Sequence, residues 1–191
     1  MADQEQERAR WNEKFRTGRD YKTAVNDWLA RMVGDRAPGA ALDLCTGQGR
    51  NAIYLAQRGW RVTAIDFSDE GLRLAREAAL QHAVELELVQ ADLDDYALGS
   101  DRYDLVTMIY AGDEIHVVEH ARDSLKRGGL FVLEYFSAES PAAAYAGGWK
   151  RGQLAALFGA GFAVVHDEEV DDVSDWGLDP DKLVRFAAVR L

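Results

Sequence analysis

The stretch Ala40–Ala52, AALDLCTGQGRNA, decides how the chain folds. Its ALDLC portion reads as a buried strand with one acid, Asp43, among apolar residues. The run breaks at Thr46-Gly47-Gln48-Gly49 and restarts as a helix, RNAIYLAQR, with Ala52, Ile53, Leu55 and Ala56 inward. Glycines let the backbone turn sharply and let a ligand approach without a Cβ in the way. Gly59 then supplies a left-handed helix stop.

Working outward, the same alternation repeats. WRVTAIDF (60–67) is a second strand, and Ser68 caps the next helix with Asp69 and Glu70 at its positive end. VELELVQ (84–90) is a third strand. It alternates strictly and carries Glu85 and Glu87 on one face, so it belongs at a sheet edge. YDLVTMIYA (103–111) is evenly apolar and reads as central. DEIHVVEHARDSLKR (113–127) is a helix with Ile115, Val118, Ala121 and Leu125 inward, closed by Gly128-Gly129. LFVLEYF (130–136) is strand five and RGQLAALFGA (151–160) a short helix. FAVVHDEEV (162–170) and KLVRFAAVRL (182–191) are final strands, joined by a loop too short for a crossover helix and therefore antiparallel. Upstream, residues 8–33 read as helical. Trp11 and Phe15 are spaced i, i+4, and Val25, Trp28, Leu29 and Met32 form an apolar stripe.

Alternating strand and helix implies an α/β fold with a mostly parallel sheet covered on both faces. The expectation is one domain over 1–191, with a helical segment at 1–36 and an α/β core at 37–191. Ligands bind such sheets at the carboxyl ends of the strands, where strand order reverses.

Composition narrows the function. The 191 residues are 48% hydrophobic, with one cysteine and a net charge of −11. Half-apolar composition fits a packed core. The charge repels phosphate backbones, so nucleic acid is not an expected partner. A single cysteine rules out an internal disulfide framework and suggests a reducing cytoplasm. No stretch is apolar enough to span a bilayer, and MADQEQERARW has no secretory signal core.

The strand ends carry the chemistry. GQGRNA fits the loose dinucleotide pattern G-x-G-x-x-A, a weak signal alone. Asp43, four residues ahead of Gly47, would be repelled by a pyrophosphate. It suits a cofactor that carries a sulfonium and an ammonium, S-adenosylmethionine (SAM). Asp66, about 20 positions past the glycine loop, can hold ribose hydroxyls of either cofactor. Asp92 can accept from an adenine amino group, with Leu93 as an apolar wall. Asp94 and Asp95 read as a solvated turn.

In this order and spacing the chain resembles class I SAM-dependent methyltransferases over nearly its whole length. LDLCTGQGRNAIYLAQRGWRVTAIDFS resembles their first two motifs, and QADLDD and LKRGGLFVLEYF the later ones. GQGRNAIYLA and RWNEKFRTG are similar to small tellurite-resistance-type members. The resemblance implies a Rossmann-like sheet of seven strands with the last antiparallel, and SAM as cofactor. It implies cofactor contacts from Asp43, Cys45, Gly47, Gly49, Asn51, Asp66, Phe67, Asp92, Leu93 and Tyr110. Trp11, Phe15 and Tyr21 of the N-terminal segment would fold over the cofactor as a lid. Cys45 stands where the family usually has glycine, as in the Cys-Thr-Gly loops of quinone-pathway methyltransferases. Slightly looser cofactor contact is expected there, and a reactive thiol would need a depressed pKa.

The acceptor mouth is expected from Tyr110, Ala111 and Asp113 after strand four, and Tyr135 and Phe136 after strand five. Tyr110, His116 and Tyr135 are the substrate-side candidates. His116-Val117-Val118-Glu119-His120 also matches the H-x-x-E-H zinc pattern. It sits on a sheet-covering helix, so it reads as a polar face and no metal is expected. DEEVDDVSDWGLDPD lacks EF-hand spacing and reads as a solvated hairpin loop. Trp149 reads as a loop residue. The function expected is methyl transfer from SAM to a small molecule by a monomer or homodimer. A non-catalytic SAM or S-adenosylhomocysteine (SAH) binder of the same fold and an NAD(P)-dependent oxidoreductase are the alternatives.

Overall fold

The computed structural model describes residues 2–18, 22–177 and 179–191. Its elements run α1 (Ala2–Arg16), α2 (Asp27–Val33), β1 (Ala40–Leu44), α3 (Arg50–Gln57), β2 (Arg61–Asp66), α4 (Asp69–Gln81) and β3 (Glu87–Gln90). They continue with β4 (Tyr103–Ile109), α5 (Ile115–Ser124), β5 (Leu125–Phe136), α6 (Ala143–Ala146), α7 (Gln153–Phe158), β6 (Phe162–Val173) and β7 (Pro180–Arg190).

The strands form one seven-stranded sheet in the order β3-β2-β1-β4-β5-β7-β6. All neighbouring pairs from β3 to β5 are parallel, and β7 runs antiparallel to both β5 and β6. β1 is buried from Ala41 to Leu44 because it has parallel partners on both sides and cover on both faces. β3 lies at an edge, as its charge implied, and Thr63 Oγ1 donates to Glu87 Oε2 at 2.6 Å. Chain order moves from β1 outward to β3, then returns past β1 to β4. Right-handed crossovers on either side of that reversal place α3 and α4 on one face and α5 on the other. A crevice therefore opens at the carboxyl ends of β1 and β4.

Three boundaries differ from the sequence reading. Residues 8–33 are not one helix: α1 and α2 are separate, with Gly18 at φ +58 after α1 and Asn26 capping α2 by accepting from Leu29 N at 2.9 Å. α2 belongs to the core, since Trp28 is 1% exposed and its Nε1 donates to Leu133 O on β5. The 1–36 segment read as a lid therefore includes a helix, α2, that is part of the core. The fourth long helix ends at Ser124 rather than at Gly128-Gly129, because Leu125 is already extended and pairs with Tyr103. Ile115, expected inward, is exposed, and Val117, Val118 and Ala121 carry the buried face. Finally, most of DEEVDDVSDWGLDPD is not loop. β6 continues to Val173 and β7 starts at Pro180, where a missing N–H does least harm to the ladder.

One polar network is buried in this core. Glu134 on β5 faces Arg185 on β7 and accepts from its Nε at 2.7 Å, with the two residues 2% and 7% exposed. Arg185 also donates to Asp172 at 2.6 Å, and Asn26 Nδ2 donates to Glu134 at 2.6 Å. The network ties the α2 cap to the sheet's antiparallel end. Removing one partner strands a buried charge, which costs about 3–5 kcal/mol. Arg185→Met should lower unfolding free energy in urea by that amount, and adding Glu134→Gln should recover part of it. An unchanged midpoint in the single variant would contradict this account.

Candidate active site

Asp43 lies at the penultimate position of β1, beneath the glycine turn, and is 2% exposed. It accepts from Thr46 Oγ1 at 2.6 Å and from Thr107 Oγ1 on β4 at 2.5 Å. Burial raises its pKa, while these hydroxyls pull it down. Asp43 does not line the cavity above. It fixes the turn from below and joins it to β4.

The turn is held from the side by Asp66 at the end of β2. Gly47 N–H donates to one of its oxygens at 2.7 Å and Ser68 N–H to the other at 2.9 Å. Burial lifts the Asp66 pKa to about 6 against the pull of those amides. Gly49 takes φ +83 at the N-cap of α3, and a Cβ there would lie 2.9 Å from Ala75 Cβ of α4. Only a glycine allows α3 and α4 to pack this closely there, and Gly49 does not line the cavity. Gly47 takes φ +54 and lies under the ring of Phe15, which would stand 3.1 Å from a Cβ.

Two non-glycine residues adopt left-handed backbone at the strand ends: Cys45 after β1 at φ +53 and Tyr110 after β4 at φ +55. Such conformations cost of order 1–3 kcal/mol and gather at functional sites. Here a glycine-like turn is kept with a cysteine in it. The Cys45 thiol rests 3.9 Å from Ala111 O. Burial, then the carboxylates of Asp66 and Glu114, push its pKa well up, which disfavours the thiolate.

Above these residues lies a cavity of about 730 Å³. Of the expected residues, Trp11, Cys45, Gly47, Asn51, Asp66, Phe67, Asp92, Leu93, Tyr110 and Tyr135 line it. Asn51 Oδ1 accepts from Asn26 N at 3.0 Å. Tyr21 lies outside the described residues. His116 does not line the cavity; it is exposed and pairs with Asp94 at 2.8 Å. Asp94 itself lines the cavity, so His116 stands just behind its rim. Its ring stands 6.0 Å from His120, and among the described residues no group of three or more His, Cys, Asp or Glu could hold a metal.

Both tyrosine hydroxyls are engaged within the protein. Tyr135 donates to Ala146 O at 2.5 Å, and Tyr110 accepts from Asp175 N at 3.2 Å. Burial raises both phenol pKa values, helped by Glu134 at Tyr110 and by Asp113 at Tyr135. They serve as ring walls. Trp149 lies between α6 and α7, outside the named elements, and is fully buried, donating to Gly112 O at 3.2 Å.

Sequence reasoning missed one side of the cavity. Asp175 and Trp176 of the β6–β7 turn reach back over it. The Asp175 side chain is 5% exposed and takes Arg50 at 2.5 Å, Lys22 at 3.0 Å and Asn26 at 2.8 Å. The signal was a lone tryptophan in an otherwise acidic turn. From the other side, α1 docks on α4: Ser68 Oγ donates to Asn12 Oδ1 and Asn12 Nδ2 to Asp69, both at 2.6 Å. Trp11 then meets Trp176, with ring centroids 5.8 Å apart.

A methyltransferase domain family matches residues 41–129, the span from β1 into β5 that builds this crevice. Ubiquinone biosynthesis O-methyltransferase of Aeromonas salmonicida is 34% identical over 98 residues, covering 51% of this chain and 39% of that protein. Demethylmenaquinone methyltransferase of Clavibacter sepedonicus is 31% identical over 134 residues, covering 67% and 53%. The chain thus spans about half or less of the length of these relatives. Among solved structures, TehB from Haemophilus influenzae superposes with a TM-score of 0.76 at 17% identity, over 89% of this chain and 64% of that one. At that identity the likeness speaks for the fold, a class I methyltransferase sheet. No helix among the described residues is long and apolar enough to cross a membrane.

The methyltransferase turn makes a prediction about its cysteine. Because its thiolate is disfavoured, Cys45 in the native protein should react with iodoacetamide at pH 8 more slowly than in the urea-unfolded chain. An equal or faster native rate would contradict the burial and charge described here.

Proposed function

We propose that this chain binds SAM in the crevice and transfers its methyl group to a small-molecule acceptor. The observation that carries the reading is Asp66. It lines the cavity and its two oxygens each accept a backbone N–H, which fixes the carboxylate while a carboxylate oxygen can still accept a second donor. Two ribose hydroxyls fit that arrangement. Phe67, Leu93 and Val117 offer apolar walls for adenine, with Asp92 beside them. A pyrophosphate fits badly: the turn's Gly47 N–H is taken by Asp66, and a buried carboxylate lies below.

When bound, SAM supplies a methyl group on a positively charged sulfur, an activated leaving group. The residues here need only align the reactants and keep water out. Holding two reactants in attack geometry is worth roughly 7–11 kcal/mol. Cys45, Tyr110 and Ala111 form the floor between the cofactor end and the β5 side. Trp11 and Phe15 on α1 and Trp176 on the β6–β7 turn close the top. We assign α1 the lid role. A cavity of about 730 Å³ holds SAM and a modest acceptor, which favours a small molecule over a macromolecule.

Ionised Asp66 is the form that accepts from ribose, and its pKa lies near 6 in the free protein. A ligand that prefers the ionised form binds more weakly as pH falls through that value. Titration calorimetry should show SAM affinity declining between pH 7 and pH 5. Asp66→Asn should bind about tenfold or more weakly at pH 8 and lose that pH dependence. Undiminished affinity in the variant would contradict the pocket assignment. Deleting residues 1–18 should raise the SAM dissociation rate in stopped flow while the sheet stays folded; an unchanged rate would remove the lid.

A further inference from the structure

α1 is a polar helix. Among its described side chains only Asn12 is buried, at 8% exposure. A helix of 15 residues is marginal in water by itself, and one without an apolar stripe gains little by lying on a surface. What holds α1 in place is therefore specific. Trp11 and Phe15 face the cavity, and Asn12 is the remaining anchor.

The bonds of the Asn12 side chain all go to the N-terminal end of α4. Its Oδ1 accepts from Ser68 Oγ at 2.6 Å and from Glu70 N at 3.3 Å, and its Nδ2 donates to Asp69 Oδ1 at 2.6 Å. The first amides of a helix have no partner within that helix. In α4 the N-cap Ser68 accepts from Gly71 N at 3.0 Å, and Asn12 takes Glu70 N. α1 thus completes the cap of another helix.

Ser68 stands at the junction. It is fully buried, and its own N–H donates to Asp66 at 2.9 Å. Only Phe67 separates the two, and Asp66 and Phe67 both line the cavity. Phe15, three residues on from Asn12, packs over the same junction: a Cβ on Gly71 would lie 3.1 Å from its ring and 3.3 Å from Gly47 O. A continuous run of hydrogen bonds leads from α1 through Asn12 and Ser68 to the carboxylate that holds the glycine turn.

We propose that Asn12 is a positioning residue for the cofactor: by capping α4 from α1 it sets the β2–α4 turn that carries Asp66 and Phe67, so that docking of α1 and binding of the cofactor strengthen each other. This rests on the SAM reading of the crevice and adds to it the link between pocket and lid. Such a coupling is reciprocal: what α1 docking adds to cofactor affinity, the cofactor adds to α1 docking.

The test uses the full chain at pH 8 with SAH as the probe. Asn12→Asp sets a second carboxylate against Asp69 and should release α1. Combining Asn12→Asp with Asp69→Asn exchanges donor and acceptor and restores the pair. Calorimetry should show SAH binding about tenfold more weakly in the single variant, with most of the loss recovered in the double. Hydrogen exchange should quicken over α1 and residues 66–71 in the single variant while β4 and β5 stay protected, whereas general loosening would expose those strands as well. SAH should slow exchange in α1 of the native chain, and slow it less in Asn12→Asp. Native SAH affinity in Asn12→Asp, no recovery in the double variant, or exchange that rises equally in β4 and β5 would overturn the inference while leaving SAH binding to the native chain intact. Failure of SAH to bind the native chain would overturn the functional reading, and this inference with it.

Discussion

The site depends on a turn clamped by two carboxylates. Asp43 grips it from beneath through Thr46 and crosses to β4 through Thr107. Asp66 grips it from the side through Gly47 N–H. These two acids fix three neighbouring strands relative to one another at the point where strand order reverses. A parallel sheet opens its strand-end crevice there, and the loops on either side diverge. Without the clamp, residues 45–49 would have no reason to hold left-handed backbone at Cys45 and Gly47 together. The acids thereby act at different depths. One is structural, and the other both builds the turn and presents itself to the cavity.

The rest of the molecule brings distant segments to that crevice. The buried Glu134–Arg185 pair locks β5 to β7, and through Asn26 it holds the segment leading into α2. Asn26 also donates to Asp175, which receives Arg50 from the first turn of α3. The β6–β7 turn is thus connected by charge to the glycine loop's own helix. Packing then sets Trp176 against Trp11 and Tyr110. Core ionic links and the cavity roof form one continuous set of contacts, so the roof is positioned by the sheet rather than by loop chance.

Much of the architecture was legible because the period of the pattern changes cleanly from strand to helix. The parallel strands, the edge position of β3 and the antiparallel end followed from apolar runs, the two glutamates and a short connection. That Asp66, Asp92 and Leu93 line one cavity was legible because strand ends in an open α/β sheet converge. What escaped was set by tertiary contact. Ile115 and Val117 are both apolar and close in sequence, and only docking onto β4 and β5 decides that Val117 is inside. The spacing of Asp43 and Gly49 says nothing of the two threonine hydroxyls that Asp43 holds or of Ala75 packed against Gly49. Asp175 looked like one acid among many, and its partners lie some 125–153 residues away in sequence.

The most direct test of the central claim is a crystal structure of the protein grown with SAH. The account expects the ligand across the carboxyl ends of β1 to β3, with its ribose hydroxyls on Asp66 and its adenine against Leu93. A ligand found away from Asp66, or a turn at residues 45–49 rearranged to admit it, would contradict the clamped site described here.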